Sequence, residues 1–292
     1  MTIRLLTIFI KVVDCNSMSL AAKHLYISQP SVSQAISQLE NFYDIKLFER
    51  LSKKLYITEQ GKQLLSYARH IVTLFDEMEE NIKNKSNTLL KIGGTITVGT
   101  CVMSDIINCF NTKYPTIQTQ ILINNTSIIE SKILTNELDI GIVEGEIKSK
   151  EIICIPVIKD KLVLICNKTN PFVNRNKVEL SELNNQPFIL REKGSGTREL
   201  FENLMKYAGF IIQEKWVCNN SDSIKQAVIA GHGLSVISER LIKNEVSADI
   251  LKIVKINNVE FKRNFSVIYH KNKYLSQCLK DFIENLGNCN LV

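Results

Sequence analysis

Two short helical patterns separated by only three residues sit near the start of this 292-residue chain, and few folds accommodate that spacing. Ser19 is placed to cap a short helix over Leu20 to Leu25, which carries the small pair Ala21-Ala22. Ser28 is a second cap, and Pro30 falls just inside the next helix, where its missing N–H removes no bond. Val32, Ile36 and Leu39 recur at four and three residues and form one buried stripe. The other face shows Ser31, Ser33, Gln34, Ser37 and Gln38. Two such helices around a Tyr26-Ile27-Ser28 turn have the spacing of a helix-turn-helix, and the Ala pair lets them approach closely. In that motif the N-terminal end of the second helix faces base edges, and its free N–H groups can meet a phosphate. Gln both donates to and accepts from an adenine edge, and Ser bonds to several bases.

The segments around this motif extend it. Leu5, Phe9, Val12 and Val13 give a preceding helix. Lys46 to Thr58 reads as two short strands around a basic tip, a wing in which Arg50, Lys53 and Lys54 would contact phosphates or enter the minor groove. Up to residue 70 there are nine Lys and Arg against five Asp and Glu, within an overall formal charge of +6. That bias is too mild to establish nucleic-acid binding by charge alone, so the ordered pattern carries the argument. From Gln60 to about Lys85, Leu64, Ala68, Ile71, Phe75, Met78 and Ile82 are spaced 4, 3, 4, 3 and 4, a seam suited to pairing with another helix.

Residues 84 to 94 read as a boundary. Beyond it apolar runs alternate with helical stretches. Strands are expected at Ile96–Val98, Thr119–Ile123, Ile140–Val143, Lys161–Ile165, Phe188–Leu190, Ser235–Ile237 and Asn264–Tyr269. Helices are expected near 104–113, 127–136, 197–208, 222–230 and 273–286. This alternation predicts an α/β architecture with mainly parallel sheets. No apolar run reaches the roughly 18 to 20 residues of a membrane span, and charges follow the N-terminus too soon for a signal peptide, so a cytoplasmic protein is expected. The eight cysteines form no CxxC pair and mostly sit in apolar runs, as reduced, buried thiols would. Four scattered histidines offer no metal spacing, and no cofactor is expected.

Ser19-Leu-Ala-Ala22, Leu25-Tyr-Ile-Ser-Gln-Pro-Ser-Val-Ser33, Leu39-Glu40, Leu47-Phe-Glu-Arg50 and Thr58-Glu-Gln-Gly61 closely resemble the N-terminal signature of LysR-type transcriptional regulators. Gly94-Thr-Ile-Thr-Val-Gly99, Glu137-Leu-Asp-Ile-Gly141 and Ala227-Val-Ile-Ala-Gly-His-Gly-Leu234 resemble the effector domain of the same family, so the likeness covers nearly the whole chain. It implies a winged helix-turn-helix over 1–60, a dimerising linker helix over 61–88 and an effector domain over 91–292. The last is shaped like a periplasmic binding protein. Its first subdomain covers about 91–162 and 268–292, its second about 163–267, and the effector lies in the cleft between them. By the motif match, Ser28, Gln29, Pro30, Ser31, Ser33, Gln34 and Ser37 would meet promoter DNA with Arg50, Lys53 and Lys54 at the wing. The likeness also implies a homodimer, a dimer of dimers, and RNA polymerase as a candidate further partner. Two departures are visible. Gln34 stands where many relatives carry Arg, and Tyr43-Asp44 replaces a common Leu-Gly, although Asp tolerates a left-handed helix end.

Within the sensor region, Arg191-Glu-Lys-Gly-Ser-Gly-Thr-Arg198 leads into a helix. Gly194 and Gly196 free the backbone to approach a ligand, Ser195 and Thr197 supply hydroxyls, the helix end supplies N–H groups, and Arg198 adds a forked cation. This reads as a cradle for a carboxylate, phosphate or sulfur oxyanion; the alternative is a Gly-rich loop capping a helix for structural reasons. The segment is similar to that of family members governing carbon fixation and sulfur assimilation, where effectors are small anions. Motif position adds Thr100 and Cys101, Ser104, Thr126 and Glu144 to the same cleft. Glu144 either repels a second negative charge or accepts from a ligand hydroxyl or amine. No Ser/His/Asp arrangement, P-loop or metal cluster supports an enzyme. The competing reading is a regulator whose sensor binds nothing and serves as an assembly platform.

Overall fold

The computed structural model describes residues 1–51, 54–83 and 89–286; the side chains of residues 50, 51, 54, 77 and 80–83 fall outside that description. The chain divides into two compact units, Met1–Thr88 with Leu134–Asn136, and Leu89–Ile133 with Glu137–Val292.

In the first unit, α1 (Ile3–Cys15), α2 (Met18–His24) and α3 (Gln29–Tyr43) precede a two-stranded wing, β1 (Phe48–Leu51) and β2 (Lys54–Ile57), and the long α4 (Glu59–Lys83). Leu6, Phe9 and Val12 of α1 meet Ala21 and Ala22 of α2 and Val32, Ala35, Ile36 and Leu39 of α3 in one core. Complete burial of side chains such as Phe9 and Leu39 stabilises by about 1.5–3 kcal/mol each. Helix α2 begins two residues earlier than expected, because Ser17 rather than Ser19 is its cap and accepts from Leu20 N at 3.3 Å. Ser28 caps α3 and accepts from Ser31 N at 3.2 Å, with Pro30 in the first turn. The expected left-handed end at Asp44 is present, at φ 52° and ψ 45°. Tyr26, in the turn between α2 and α3, is also left-handed at φ 54° and is 96% exposed.

The second unit begins with β3 (Leu89–Thr95), α5 (Ile96–Cys101), α6 (Met103–Lys113), β4 (Gln118–Asn124), α7 (Thr126–Leu134), β5 (Ile140–Glu144) and β6 (Ile152–Asn167). It continues through β7 (Pro187–Arg191), α8 (Gly196–Tyr207), β8 (Gln213–Cys218), α9 (Ser221–Ile229), β9 (Ser235–Ser238), α10 (Lys243–Ser247), β10 (Leu251–Val254), β11 (Phe261–His270) and α11 (Gln277–Leu286). Strands β4, β3 and β5 are parallel, and β5 meets β11 antiparallel. β6 and β11 run antiparallel along ten register pairs, from Leu162–Phe261 to Ile152–His270, with an irregularity between Phe265 and Ser266. The far end of β6 carries β9 and β10, both antiparallel. The sheet is therefore mixed rather than mainly parallel, because these two long strands run from one subdomain into the other. One core gathers Ile92, Phe110, Ile142, Phe265 and Phe282. Two others flank the second half of β6, with Phe188 and Phe201 in one and Ile165 and Val228 in the other.

The expected strand at Ile96–Val98 is helix α5; the strand lies just before it. The Gly93-Gly94 pair taken for a boundary is inside β3, because a Cβ on Gly93 would lie 2.6 Å from Leu138 Cδ1 and 2.9 Å from Ile129 Cγ2. The expectation of mostly buried cysteines is also corrected: Cys166 and Cys218 are buried, Cys15, Cys101 and Cys278 are half-buried, Cys109 and Cys154 are exposed, and Cys289 lies outside the described residues. His232 is stacked on Trp216 with ring centroids 4.9 Å apart. Among the described residues, no single helix is long and apolar enough to cross a membrane, and no group of three or more His, Cys, Asp or Glu is placed to hold a metal.

Candidate functional site

The first candidate surface is the polar face of α3 beside the wing. Ser28, Gln29, Pro30, Ser31, Gln34 and Ser37 are exposed, and Ser33 is half-buried. Ser28 Oγ also lies 2.8 Å from Ser31 Oγ, so its cap role engages it in part. Leu51 pairs with Lys54 across the two strands of the wing. Lys53 and the side chains of Arg50 and Lys54 lie outside the described residues.

The wing is fixed to α3 by a carboxylate. Glu40 accepts from Leu47 N at 2.8 Å and Phe48 N at 3.4 Å, and pairs with Lys46 Nζ at 3.1 Å. Thr58 Oγ1 donates to Lys46 O at 2.6 Å and accepts from Gly61 N at 2.9 Å, joining α4 to the wing's base. Several signature residues thus serve the geometry of the unit rather than its surface. The seam on α4 is divided in the same way. Ala68 is fully buried in its own unit's core and Leu64 packs against that core, whereas Ile71, Phe75 and Met78 are exposed. Ile82 lies outside the described side chains.

The second candidate is the cleft between the two halves of the larger unit. Gly194 is left-handed, at φ +87°, and its carbonyl accepts from Ser127 N at 3.2 Å. Gly196 makes its close approach to protein rather than to a ligand: its Cα lies against Gly145, and a Cβ there would sit 2.2 Å from Glu144 O. Ser195 is 2% exposed and stands at the N-cap of α8, yet it makes no capping bond, and its Oγ has no hydrogen-bond partner among the described residues. The first N–H groups of α8 have no intrahelical acceptors by construction and carry partial positive charge.

Glu144, at the end of β5 and 2% exposed, accepts from the hydroxyls of Thr95 and Thr97, the latter at 2.9 Å. Thr126 Oγ1 donates to Glu144 O at 2.7 Å. Sequence reasoning missed the partner of this cluster, Arg263 on β11. Its Nε donates to Asp160 Oδ2 at 2.6 Å, its Nη1 donates to Thr197 Oγ1 at 2.8 Å, and Nη1 lies 4.0 Å from Glu144 Oε1. Ser238 Oγ donates to Asp160 Oδ1 at 2.7 Å. Buried charges in such a cluster persist because each is paired and hydrogen-bonded. Cys101 faces these groups, and burial, with Asp160 next, pushes its thiol up to about 11. The thiol therefore stays protonated at neutral pH.

Three expected cleft residues are corrected. Thr100 is exposed and its hydroxyl donates to Ile96 O within α5, and Ser104 is exposed on α6. Both were displaced by the misplaced strand: with β3 ending at Thr95, the hydroxyls that meet Glu144 are Thr95 and Thr97. Arg198 is not a free cation. Its Nε donates to Glu202, its Nη1 to Arg191 O and its Nη2 to Glu214, at 2.7, 3.0 and 2.6 Å.

Comparison with known proteins bears on both surfaces. Residues 3–62 match the family described as bacterial regulatory helix-turn-helix protein, lysR family, and residues 83–288 match the LysR substrate binding domain. The chain is 32% identical over 291 residues to the uncharacterized HTH-type transcriptional regulator YeiE of Escherichia coli strain K12, covering 99% of this chain and 98% of YeiE. It is 30% identical over 264 residues to the HTH-type transcriptional regulator CysL of Bacillus subtilis, covering 89% of this chain and 88% of CysL. The regulatory domain of Synechocystis CcmR, solved in complex with 2-PG, superposes with a TM-score of 0.64 at 27% identity, covering 69% of this chain and 96% of that domain.

Proposed function

The chain belongs to the LysR family of transcriptional regulators, with the family's effector-binding domain, and from that premise we propose that it binds promoter DNA and responds to a small anion held in its cleft. It is a regulator rather than an enzyme. The α3 face from Gln29 to Ser37 reads bases, with Arg50, Lys53 and Lys54 of the wing on the phosphate backbone. Work on chromosomal DNA places it in the cytoplasm. The exposed Ile71, Phe75 and Met78 on α4 support a homodimer through that helix, and two dimers form the working tetramer. RNA polymerase is a further partner when the bound tetramer activates. The domain limits are 1–60, 61–88 and 91–292.

The observation that carries the sensor reading is Ser195, a buried N-cap hydroxyl with no hydrogen-bond partner among the described residues, at the start of a twelve-residue helix. Thr197 lies on the same turn, Gly194 and Gly196 flank Ser195, and Glu144, with Thr126 on its carbonyl and Cys101 facing its carboxylate, lies against Gly196. Donors gathered at a helix N-terminus suit an oxyanion or carboxylate. The 2-PG complex of the related CcmR domain supports the same class. Effector binding shifts the assembly between two states only to the extent that one binds the anion more tightly.

Thermal unfolding across sulfate, thiosulfate, O-acetylserine, sugar phosphates and simple carboxylates tests this. At a hundredfold excess over Kd, a true effector adds about 2.7 kcal/mol of stability. Wild type should gain in melting temperature and Ser195→Ala should gain far less. If no anion raises the melting temperature of wild type, the anionic reading falls, leaving a non-anionic effector or a sensor that serves as an assembly platform, the latter consistent with the close approach of Gly145 to Gly196.

A further inference from the structure

Arg263 is a buried cation with one arm unused. Its side chain is 5% exposed; Nε and Nη1 are engaged by Asp160 and Thr197, and Nη2 has no hydrogen-bond partner among the described residues. Buried guanidinium donors are normally satisfied, so an orphaned one calls for an acceptor. A second group of this region without a hydrogen-bond partner among the described residues, the Ser195 hydroxyl, stands on the same first turn of α8 as Thr197, the residue Arg263 touches. Thr197 Oγ1 accepts from Arg263 and keeps its own hydrogen to donate. The guanidinium is thus bonded at Nη1 to Thr197 on the first turn of α8, whose N-cap residue carries the other unpartnered donor.

We propose that Arg263, not Arg198, is the charged anchor of the effector's anionic group, binding it through Nη2 together with Ser195, Thr197 and the N-terminus of α8. This rests on the anionic-effector reading above and adds the means by which binding is felt. Arg263 belongs to β11 and its partner Asp160 to β6, directly opposite in register, and these are the two long strands shared by both subdomains. An anion on Nη2 joins that strand pair to α8, the wall of the second subdomain, while Glu144 of the first lies 4.0 Å from the same guanidinium. The carboxylate and the anion then compete for one cation, so occupancy changes the charge balance at the strands that connect the halves.

The test uses the full chain and isothermal titration with whichever of sulfate, a simple carboxylate or 2-PG stabilises wild type. Arg263→Gln should weaken binding roughly tenfold or more, as loss of a charged hydrogen bond does. Arg263→Lys, which keeps a charge opposite Asp160, should also weaken it. Glu144→Gln removes the competing carboxylate and should tighten binding several-fold, a gain that misfolding cannot mimic. Arg175→Gln, which removes a surface charge paired with Glu182, should bind as wild type does. Wild-type affinity in Arg263→Gln, or weakened binding in Glu144→Gln, overturns the anchor and leaves the anionic reading standing. If none of these anions binds wild type, the anionic reading itself falls and the anchor falls with it.

Discussion

Gly196→Ala should weaken binding of any anion in the cleft tenfold or more while leaving the N-terminal unit folded and its DNA affinity intact. A methyl at this position would lie 2.2 Å from Glu144 O and 2.6 Å from Gly145 Cα, and both neighbours are backbone. Backbone cannot rotate aside as a flexible side chain can, so the two walls must separate or the start of α8 must shift. Gly145 gives no relief, since at φ +107° it already has a conformation that other residues rarely adopt. Overpacking of this kind costs about 1–3 kcal/mol, and the displaced turn carries Ser195 and Thr197. Affinity should drop at least tenfold by calorimetry, since about 1.4 kcal/mol corresponds to tenfold. Gly209→Ala is the contrast. Gly209 is left-handed at φ +77° but has no described residue within 4 Å of its added Cβ, so the variant should lose some stability and keep its ligand affinity. Equal ligand affinity in Gly196→Ala and wild type would show that the contact of these glycines does not shape the site.

The reciprocal result is expected from Gly61→Ala. Its Cβ would sit 2.5 Å from Leu47 O and 2.7 Å from Ile57 Cγ1, at the junction where Thr58 ties α4 to the wing. The methyl must push the helix away from the base of the wing, breaking the Gly61 N to Thr58 Oγ1 bond. Loss of that bond adds to the overpacking, for a destabilisation of about 3 kcal/mol. The N-terminal unit should melt earlier and DNA affinity should fall by tenfold or more, with anion affinity unchanged. An unaltered melting profile would contradict this account of the Thr58-Glu-Gln-Gly61 signature.

The N-terminal unit was legible because its signals are local. Cap, turn and apolar stripe lie within a few residues of one another, so Ser28, Pro30 and the Val32–Ile36–Leu39 face could be read directly. Even there, the choice between Ser17 and Ser19 as cap depended on where the backbone turns, which the apolar pattern leaves open by two residues. The cleft was less legible because it is assembled from distant segments. Asp160 sits in Lys159-Asp160-Lys161 and Arg263 in Lys262-Arg263-Asn264, both of which look like solvated charge runs. Only the pairing of β6 with β11 sets them opposite each other. Arg198 misled for the complementary reason. Its place after Gly-Ser-Gly-Thr suggested a free cation, but Glu214, on a strand whose exposed side chains lack an apolar alternation, takes up one of its arms. β8 was missed for that same lack of pattern.

DNA binding is the central claim, and its most direct test is the salt dependence of affinity for the duplex upstream of the protein's own gene, followed by fluorescence anisotropy. Wing and helix contacts to phosphates release counterions, so log affinity should fall linearly with log salt, with a slope of about −0.9 per phosphate neutralised. Lys54→Ala should reduce the slope by about one unit. A flat line, or binding that does not exceed that of an unrelated duplex at any salt, would contradict the account.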